Sequence, residues 1–273
     1  MDIFYYIMIF IMGTVFGSFF TLAVYRIPLK KDITHERSFC PNCNHKLGFW
    51  DMIPVLSYIC FRGKCRYCGE KIRIRYLILE VLSGLVFLIE YMALNMHFPD
   101  LSFAKIAYFI SFVFMYVTIA IISGIDKEYR RVHLGVLLFG FIMQGIYILY
   151  LYVTLKEGVS VMYRYGMYLI LMILLCALDT FFLKEKAESK YVLEVLMLLS
   201  YIGGVVGSEL LLIIALLSIV LIIIDRIAKQ IKKIANEKPD ILQENFIPKT
   251  RIGFFVGMSA IIVTIAETFL KYM

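Results

Sequence analysis

Long apolar runs broken by short charged stretches make up most of this chain, and one polar break is far longer than the others. The apolar runs cover residues 1–24, 77–94, 106–125, 132–155, 165–183, 191–206, 210–224 and 254–270. A hydrocarbon core of about 30 Å needs about 17–25 helical residues to cross it, and most of the runs reach that length. The runs at 191–206 and 210–224 are short, as a tilted, flanked or partly re-entrant helix would be. The pattern therefore predicts an all-α polytopic membrane protein with about eight transmembrane helices. In the first run the early charge, Asp2, is acidic and the basic residue, Arg26, follows the apolar stretch. A signal peptide has the opposite order, so the run reads as a retained anchor passing from outside to inside. Gly13, Gly17 and Ser18 share one helical face, either as a close-packing stripe or as incidental small side chains.

Composition agrees with the pattern. Of 273 residues, 61% are hydrophobic and 18% charged, with a mean hydropathy of +0.82, outside the range of an ordinary soluble domain. The formal charge of +7 and pI near 9.0 fit a basic cytosolic face beside anionic lipid, and no nucleic-acid partner is expected. With eight spans, 24 of the 28 Lys and Arg fall on the side of the long polar break, and Lys105, Lys156, Arg164 and Lys271 fall on the other. The positive-inside rule then makes the polar segment cytosolic and places both termini outside. Residues 226–245 read as a polar cytosolic linker whose Lys229, Lys232 and Lys233 touch lipid headgroups.

The long polar break holds the chemistry. It reads Cys40-Pro41-Asn42-Cys43 and, 21 residues further on, Cys65-Arg66-Tyr67-Cys68. Two C-x2-C pairs offer four thiolates to one tetrahedral zinc, and Pro41 and Gly69 favour the tight turns this requires. Two disulfides or four unrelated core cysteines are the alternatives, and a reducing cytosolic setting disfavours disulfides. Four cysteines close the coordination sphere, so the metal would be a structural staple for a segment too short to build a large core. His45 reads as a polar loop residue, and Cys60 and Cys176 as buried small hydrophobes. Glu80, near the start of the second span, needs a cavity or a basic partner such as Arg75 or Arg26. The organisation expected is a first transmembrane helix over 1–27, a cytosolic zinc-binding loop over 28–75 and a seven-helix membrane domain over 76–273.

The order Gly17-Ser18-Phe19, Tyr25-Arg26-Ile27-Pro28, Cys40-Pro41-x-Cys43-x-His45-x-Leu47, Asp51-x-Ile53-Pro54, Ser57, Gly63-x-Cys65-x2-Cys68 and Arg75-Tyr76-x3-Glu80-x3-Gly84 resembles the N-terminal part of the type IV prepilin peptidases. These are membrane aspartyl proteases of pilus, competence and type II secretion systems. The likeness is dense over residues 13–84 and topological beyond. It implies a bacterial inner-membrane enzyme that cuts the basic leader from the N-terminal helix of a prepilin or pseudopilin at the cytosolic face. The cysteine loop resembles that of the bifunctional members, which also methylate the new N-terminus with S-adenosylmethionine. In that resemblance Glu80 belongs to the shared loop-to-helix motif, near a methyl-donor or substrate site.

Such proteolysis needs two carboxylates that share a proton and activate one water. By the resemblance Asp126, at the cytosolic end of a span, is the first; on the residues alone an Asp beside Lys and Arg at a helix end is more often a solvated border residue. The family's Pro-Asp pair seven and eight residues later reads His133-Leu134 here. The second aspartate, which ends a Gly-x-Gly-Asp motif in the family, is missing. Aligned by Gly203-Gly204, its position falls on Lys190 or Tyr191, within Lys186-Ala187-Glu188-Ser189-Lys190-Tyr191. Glu188 is the substitute acid, with Glu185 and Glu194 nearby, and Asp179 lies about a turn inside the membrane. Ile247-Pro248-Lys249-Thr250-Arg251 keeps one proline of the family's Pro-Phe-x-Pro-Phe, and Thr21 and Leu77 replace its Asn and Pro. The resemblance thus implies a prepilin peptidase and N-methyltransferase-like enzyme, or alternatively a member that binds prepilin or assembly partners, or only methylates, without proteolysis.

Overall fold

A computed structural model describes residues 2–96, 102–155, 159–182, 187–236 and 251–272. Among them the only β structure is two isolated bridges in the cysteine loop, Phe39 with Lys46 and Lys64 with Lys71. The long helices are α1 (Asp2–Arg26), α3 (Arg75–Ala93), α4 (Phe103–Tyr129), α5 (Leu134–Leu155), α6 (Val159–Phe182), α7 (Ala187–Val206), α8 (Ser208–Asn236) and α9 (Ile252–Tyr272), and the loop adds the short α2 (Leu56–Cys60). Seven of the long helices are long and apolar enough to cross a membrane, and α7 is the exception. Its Glu188, Lys190 and Glu194 lower its hydropathy, and Tyr191, Leu193, Val195, Met197, Leu198, Tyr201 and Ile202 are buried against protein. A helix enclosed by other helices does not need a lipid-compatible surface all round. The segment expected as a polar linker from 226 onward is helical as far as Asn236, as the end of α8; its Lys and Arg are good helix formers.

The chain divides into two compact units, residues 1–124 with 265–273, and residues 125–264. In the first, α1 lies along α3 because glycines remove the side chains that would hold the backbones apart. A Cβ on Gly13 would stand 2.6 Å from the Ser83 carbonyl oxygen and 2.8 Å from Gly84 Cα, and one on Gly17 would stand 2.8 Å from Glu80 Cα and from the Leu79 carbonyl oxygen. Gly13 and Gly17 are therefore a packing stripe. Phe16, Phe20, Phe87, Tyr91, Phe109 and Tyr116 interlock beside it, with Phe87 centred 5.5 Å from both Phe16 and Tyr116, and the Ser83 and Tyr116 hydroxyls bond at 3.0 Å.

In the second unit α6 and α7 form the main contact, with α5 and α8 against them. Tyr165 donates to the Phe141 carbonyl, Phe141 meets Tyr201 edge to face at 5.1 Å, and Ser200 donates to the Tyr168 carbonyl at 2.7 Å. Gly203 lets the Tyr168 ring approach α7, since a Cβ there would stand 2.7 Å from it.

The α1–α3 contact meets backbone atoms that cannot move aside. Gly17→Leu should therefore destabilise the protein by about 3 kcal/mol or more, the upper end of overpacking costs, whereas Gly166→Leu, with open space around it, should be near neutral. Thermal unfolding of the purified variants in detergent checks this.

Candidate metal centre and buried aspartate

The cysteine loop folds as two copies of one small hairpin, offset by 25 residues. In the first, the Cys40 amide donates to the His45 carbonyl at 3.0 Å, Asn44 to Cys40 at 2.8 Å and Leu47 to Ser38 at 2.8 Å. In the second, Cys65 donates to Glu70 at 2.8 Å, Gly69 to Cys65 at 2.9 Å and Ile72 to Gly63 at 2.7 Å. Each hairpin turns through a residue of positive φ, Asn44 at 56° and Gly69 at 72°, the types that tolerate that region best. This duplicated pairing has little sequence identity to reveal it, since Lys46 and Lys71 are its main match beyond the cysteines.

The two turns bring the sulfurs of Cys40, Cys43, Cys65 and Cys68 within 4.8 Å of one another, with 3.8 Å between Cys40 Sγ and Cys68 Sγ. A disulfide requires about 2.05 Å, whereas a tetrahedron of sulfurs about 2.3 Å from zinc has edges of about 3.8 Å. The cluster fits one tetrahedral metal ion, and none of the six cysteines is in a disulfide. The Glu70 amide and the Asn42 side chain lower the Cys68 thiol to about 7, while Cys43, although the His45 amide pulls it down, is pushed up to about 11 by desolvation and the sulfurs of Cys40 and Cys68. Four thiolates this close repel one another, and a divalent cation removes that penalty.

Around the cluster the His45 ring lies 3.6 Å from that of Tyr67. The Tyr67 hydroxyl and the Gly48 amide both donate to Asp51 Oδ2 at 2.9 Å. His45 is thus a packing partner of the cluster's second turn, and Asp51 ties the turns to the segment that follows them. Cys60, expected in a core, is exposed, and Cys176 is half-buried.

Glu80 has an unexpected partner. Its Oε2 accepts the Val55 amide at 2.8 Å, and Val55 sits at φ 63°, ψ −52°, with Leu56 donating across it to the Pro54 carbonyl at 2.6 Å. This is a γ-turn of the strained, positive-φ kind, and its central amide is held by the carboxylate. Arg26, one of the two basic partners expected for Glu80, is buried and donates to the carbonyls of Asp32, Glu36 and Arg37 at 2.7, 2.8 and 3.3 Å.

Asp126 belongs to the second unit. It is fully buried, and its Oδ2 accepts the Phe254 amide at 2.8 Å in the first turn of α9. The Tyr191 hydroxyl accepts the Ile252 amide at 2.7 Å and that of Gly253 at 3.4 Å, and it neighbours the Asp126 carboxylate. Asp126 and Tyr191 therefore cap α9 together, from two other helices, and satisfy amides that a helix start leaves without partners. Gly253 makes room, since a Cβ there would stand 3.2 Å from Asp126 Cγ. Arg130 lies over the Tyr191 ring at 4.4 Å and Lys127 over Phe254 at 4.7 Å. Asp126 Oδ1 is buried without a hydrogen-bond partner. Glu194 Oε2 accepts the Val132 amide at 2.9 Å, just before α5. Glu185 and the side chains of Glu188 and Asp179 lie outside the described residues.

Residues 11–94 match the family model described as the bacterial peptidase A24 N-terminal domain. Over 81 residues the chain is 41% identical to a prepilin leader peptidase/N-methyltransferase of Myxococcus xanthus, covering 30% of this chain and 24% of the relative. Over this stretch the chain is similar to the N-terminal domain of the bacterial prepilin peptidases. Proteins of the same name from Vibrio cholerae, 39% identical over 89 residues (30% of this chain, 35% of the relative), and Bacillus subtilis, 39% identical over 79 residues (29% and 32%), match too. The chain thus matches these relatives over only about a quarter to a third of their own length. No solved structure matches it. The family-model match includes the cysteine cluster and Glu80, and ends before Asp126 and Tyr191.

Two measurements check these sites. Purified protein should contain one zinc per chain, and Cys40→Ser or Cys65→Ser should abolish it and expose the loop to limited proteolysis; oxidised thiols without zinc would overturn the assignment. Tyr191→Phe should lower stability by about 1–3 kcal/mol, the cost of leaving a buried amide unpaired, read from thermal unfolding in detergent.

Proposed function

We propose that this family member recognises the N-terminal helix of a prepilin-like substrate at the cytosolic face of a bacterial inner membrane, and that its proteolytic step has been lost. The observation that carries this reading is Tyr191, whose hydroxyl stands beside Asp126 at one of the two positions where the family's second aspartate would align. Aspartyl proteolysis needs a pair of carboxylates holding one proton and one water. A phenol there cannot act as the second base near neutral pH, and this one is occupied by the α9 amides. The excess of Lys and Arg on one side supports a cytosolic zinc loop with both termini outside.

The activity left to the matched N-terminal stretch is N-methylation, with S-adenosylmethionine as donor and the Glu80 region as the candidate donor or substrate site. Zinc held by Cys40, Cys43, Cys65 and Cys68 would act as a staple: four thiolates leave no position for a reactive water. Relatives named as peptidases, together with a buried Asp126 whose Oδ1 has no partner, favour a second reading. In that reading Asp126 and Glu188 cut the leader, one as carboxylate base and the other as acid.

Co-expression with a prepilin separates the two. The unaltered chain should leave the leader attached, read as substrate mass, and Asp126→Asn should change nothing. Cleavage that disappears in both Asp126→Asn and Glu188→Gln would establish the peptidase with Glu188 as its second acid.

A further inference from the structure

The cysteine loop carries a feature that neither metal binding nor catalysis uses. Phe49 and Trp50, which meet edge to face at 5.7 Å, are 71% and 70% exposed, and on α2 Leu56 and Ile59 are 59% and 61% exposed. Leu56, Ile59 and Cys60 fall at i, i+3 and i+4, one face of the helix, and all three are exposed. The single turn at Trp50–Met52 packs against α2, so two neighbouring elements offer large apolar side chains to their surroundings. A soluble domain rarely leaves such a patch uncovered.

The position of α2 says what covers it. Val55, immediately before α2, is bonded to Glu80, which lies five residues inside α3 and whose Cα faces Gly17 of α1. Gly17 is nine residues from the end of α1 at Arg26, about 13 Å at the helical rise. The start of α2 is therefore level with the apolar part of α1, and not beyond its end. The same segment carries eleven Lys and Arg against four acids between Arg26 and Arg75, a charge that attracts anionic headgroups. Aromatic side chains with basic neighbours are the composition of an interfacial anchor.

We infer that Phe49, Trp50 and the Leu56–Ile59 face of α2 are seated in the cytosolic leaflet, at the boundary of headgroups and acyl chains, with anionic phospholipid as the partner. The zinc loop is then a membrane-embedded lip beside α1 and α3. Cys60, at odds with its expected place in a core, is covered by lipid instead of protein. This inference does not depend on whether the chain cuts or methylates its substrate.

Trp50 is the one tryptophan of the chain, so its fluorescence reports on this surface alone. The full-length protein in phosphatidylglycerol-containing nanodiscs should emit to the blue of the unfolded chain. It should be quenched at least twofold more by lipids brominated high on the acyl chain than by aqueous iodide. Leu56→Ser with Ile59→Ser should move the emission to the red and raise iodide quenching while zinc content stays at one per chain. Emission like that of the unfolded chain, with iodide quenching in the nanodisc, would overturn the inference. So would shielding that appears only when a synthetic prepilin N-terminal peptide is added, since the face would then be a substrate dock.

Discussion

The Val55 amide bonded to the Glu80 carboxylate joins the two systems that make up the first unit. On one side is a loop with almost no core of its own, held by four sulfurs and a pair of hairpins. On the other is a helix pair whose glycines allow it to close until backbone meets backbone. The bond fixes how the loop leaves α3, and it does so through a γ-turn that a β-branched residue resists. Such strain persists only where its surroundings over-determine it. Here the constraints are the Asp51 contacts upstream and Glu80 downstream.

The cysteine cluster and the glycines also differ in what they ask of the chain. Tetrahedral sulfur geometry demands four side chains, while the rest of each hairpin needs only backbone bonds and one positive-φ residue. That is why Ser38–Leu47 and Gly63–Ile72 share a fold while differing at most positions. The α1–α3 contact demands small residues at Gly13, Gly17 and Gly84, and tolerates a broad range of apolar side chains elsewhere.

These demands explain what was legible in the residues alone. Span positions, the cysteine set and the family resemblance were readable because each rests on residue type at short, regular spacing. The hairpin duplication was not, since hydrogen bonding between backbones leaves no mark on side-chain identity. Glu80 suggested a basic partner because a carboxylate in lipid calls for a cation, yet a single strained amide satisfies one of its oxygens, and Arg26 bonds three carbonyls. The end of α8 resembles a linker in composition because its charges mask the helix propensity of its Lys, Arg and Ala residues. Cys60 was expected in a core because apolar neighbours signal burial without telling lipid from protein. The pairing of Asp126 with Tyr191 depends on α4, α7 and α9 meeting across more than a hundred residues, and no local pattern encodes it.

Asp126 raises the question of why a carboxylate should persist in a membrane helix if its catalytic partner is absent. Burying a charge there is costly, and an idle acid would be expected to drift to something apolar. Its contacts supply a reason that needs no catalysis. The start of α9 presents amides without intrahelical partners and the positive end of the helix dipole. Asp126 takes the Phe254 amide while Tyr191 takes those of Ile252 and Gly253. Gly253 eases the arrangement, because a Cβ there would stand 3.2 Å from Asp126 Cγ and would push the carboxylate by a few tenths of an ångström. Asp126 is thus held in place as a helix cap, whatever chemistry it takes part in. Tyr191 shares that work, so an acid in its place would have to take over the Ile252 and Gly253 amides as well.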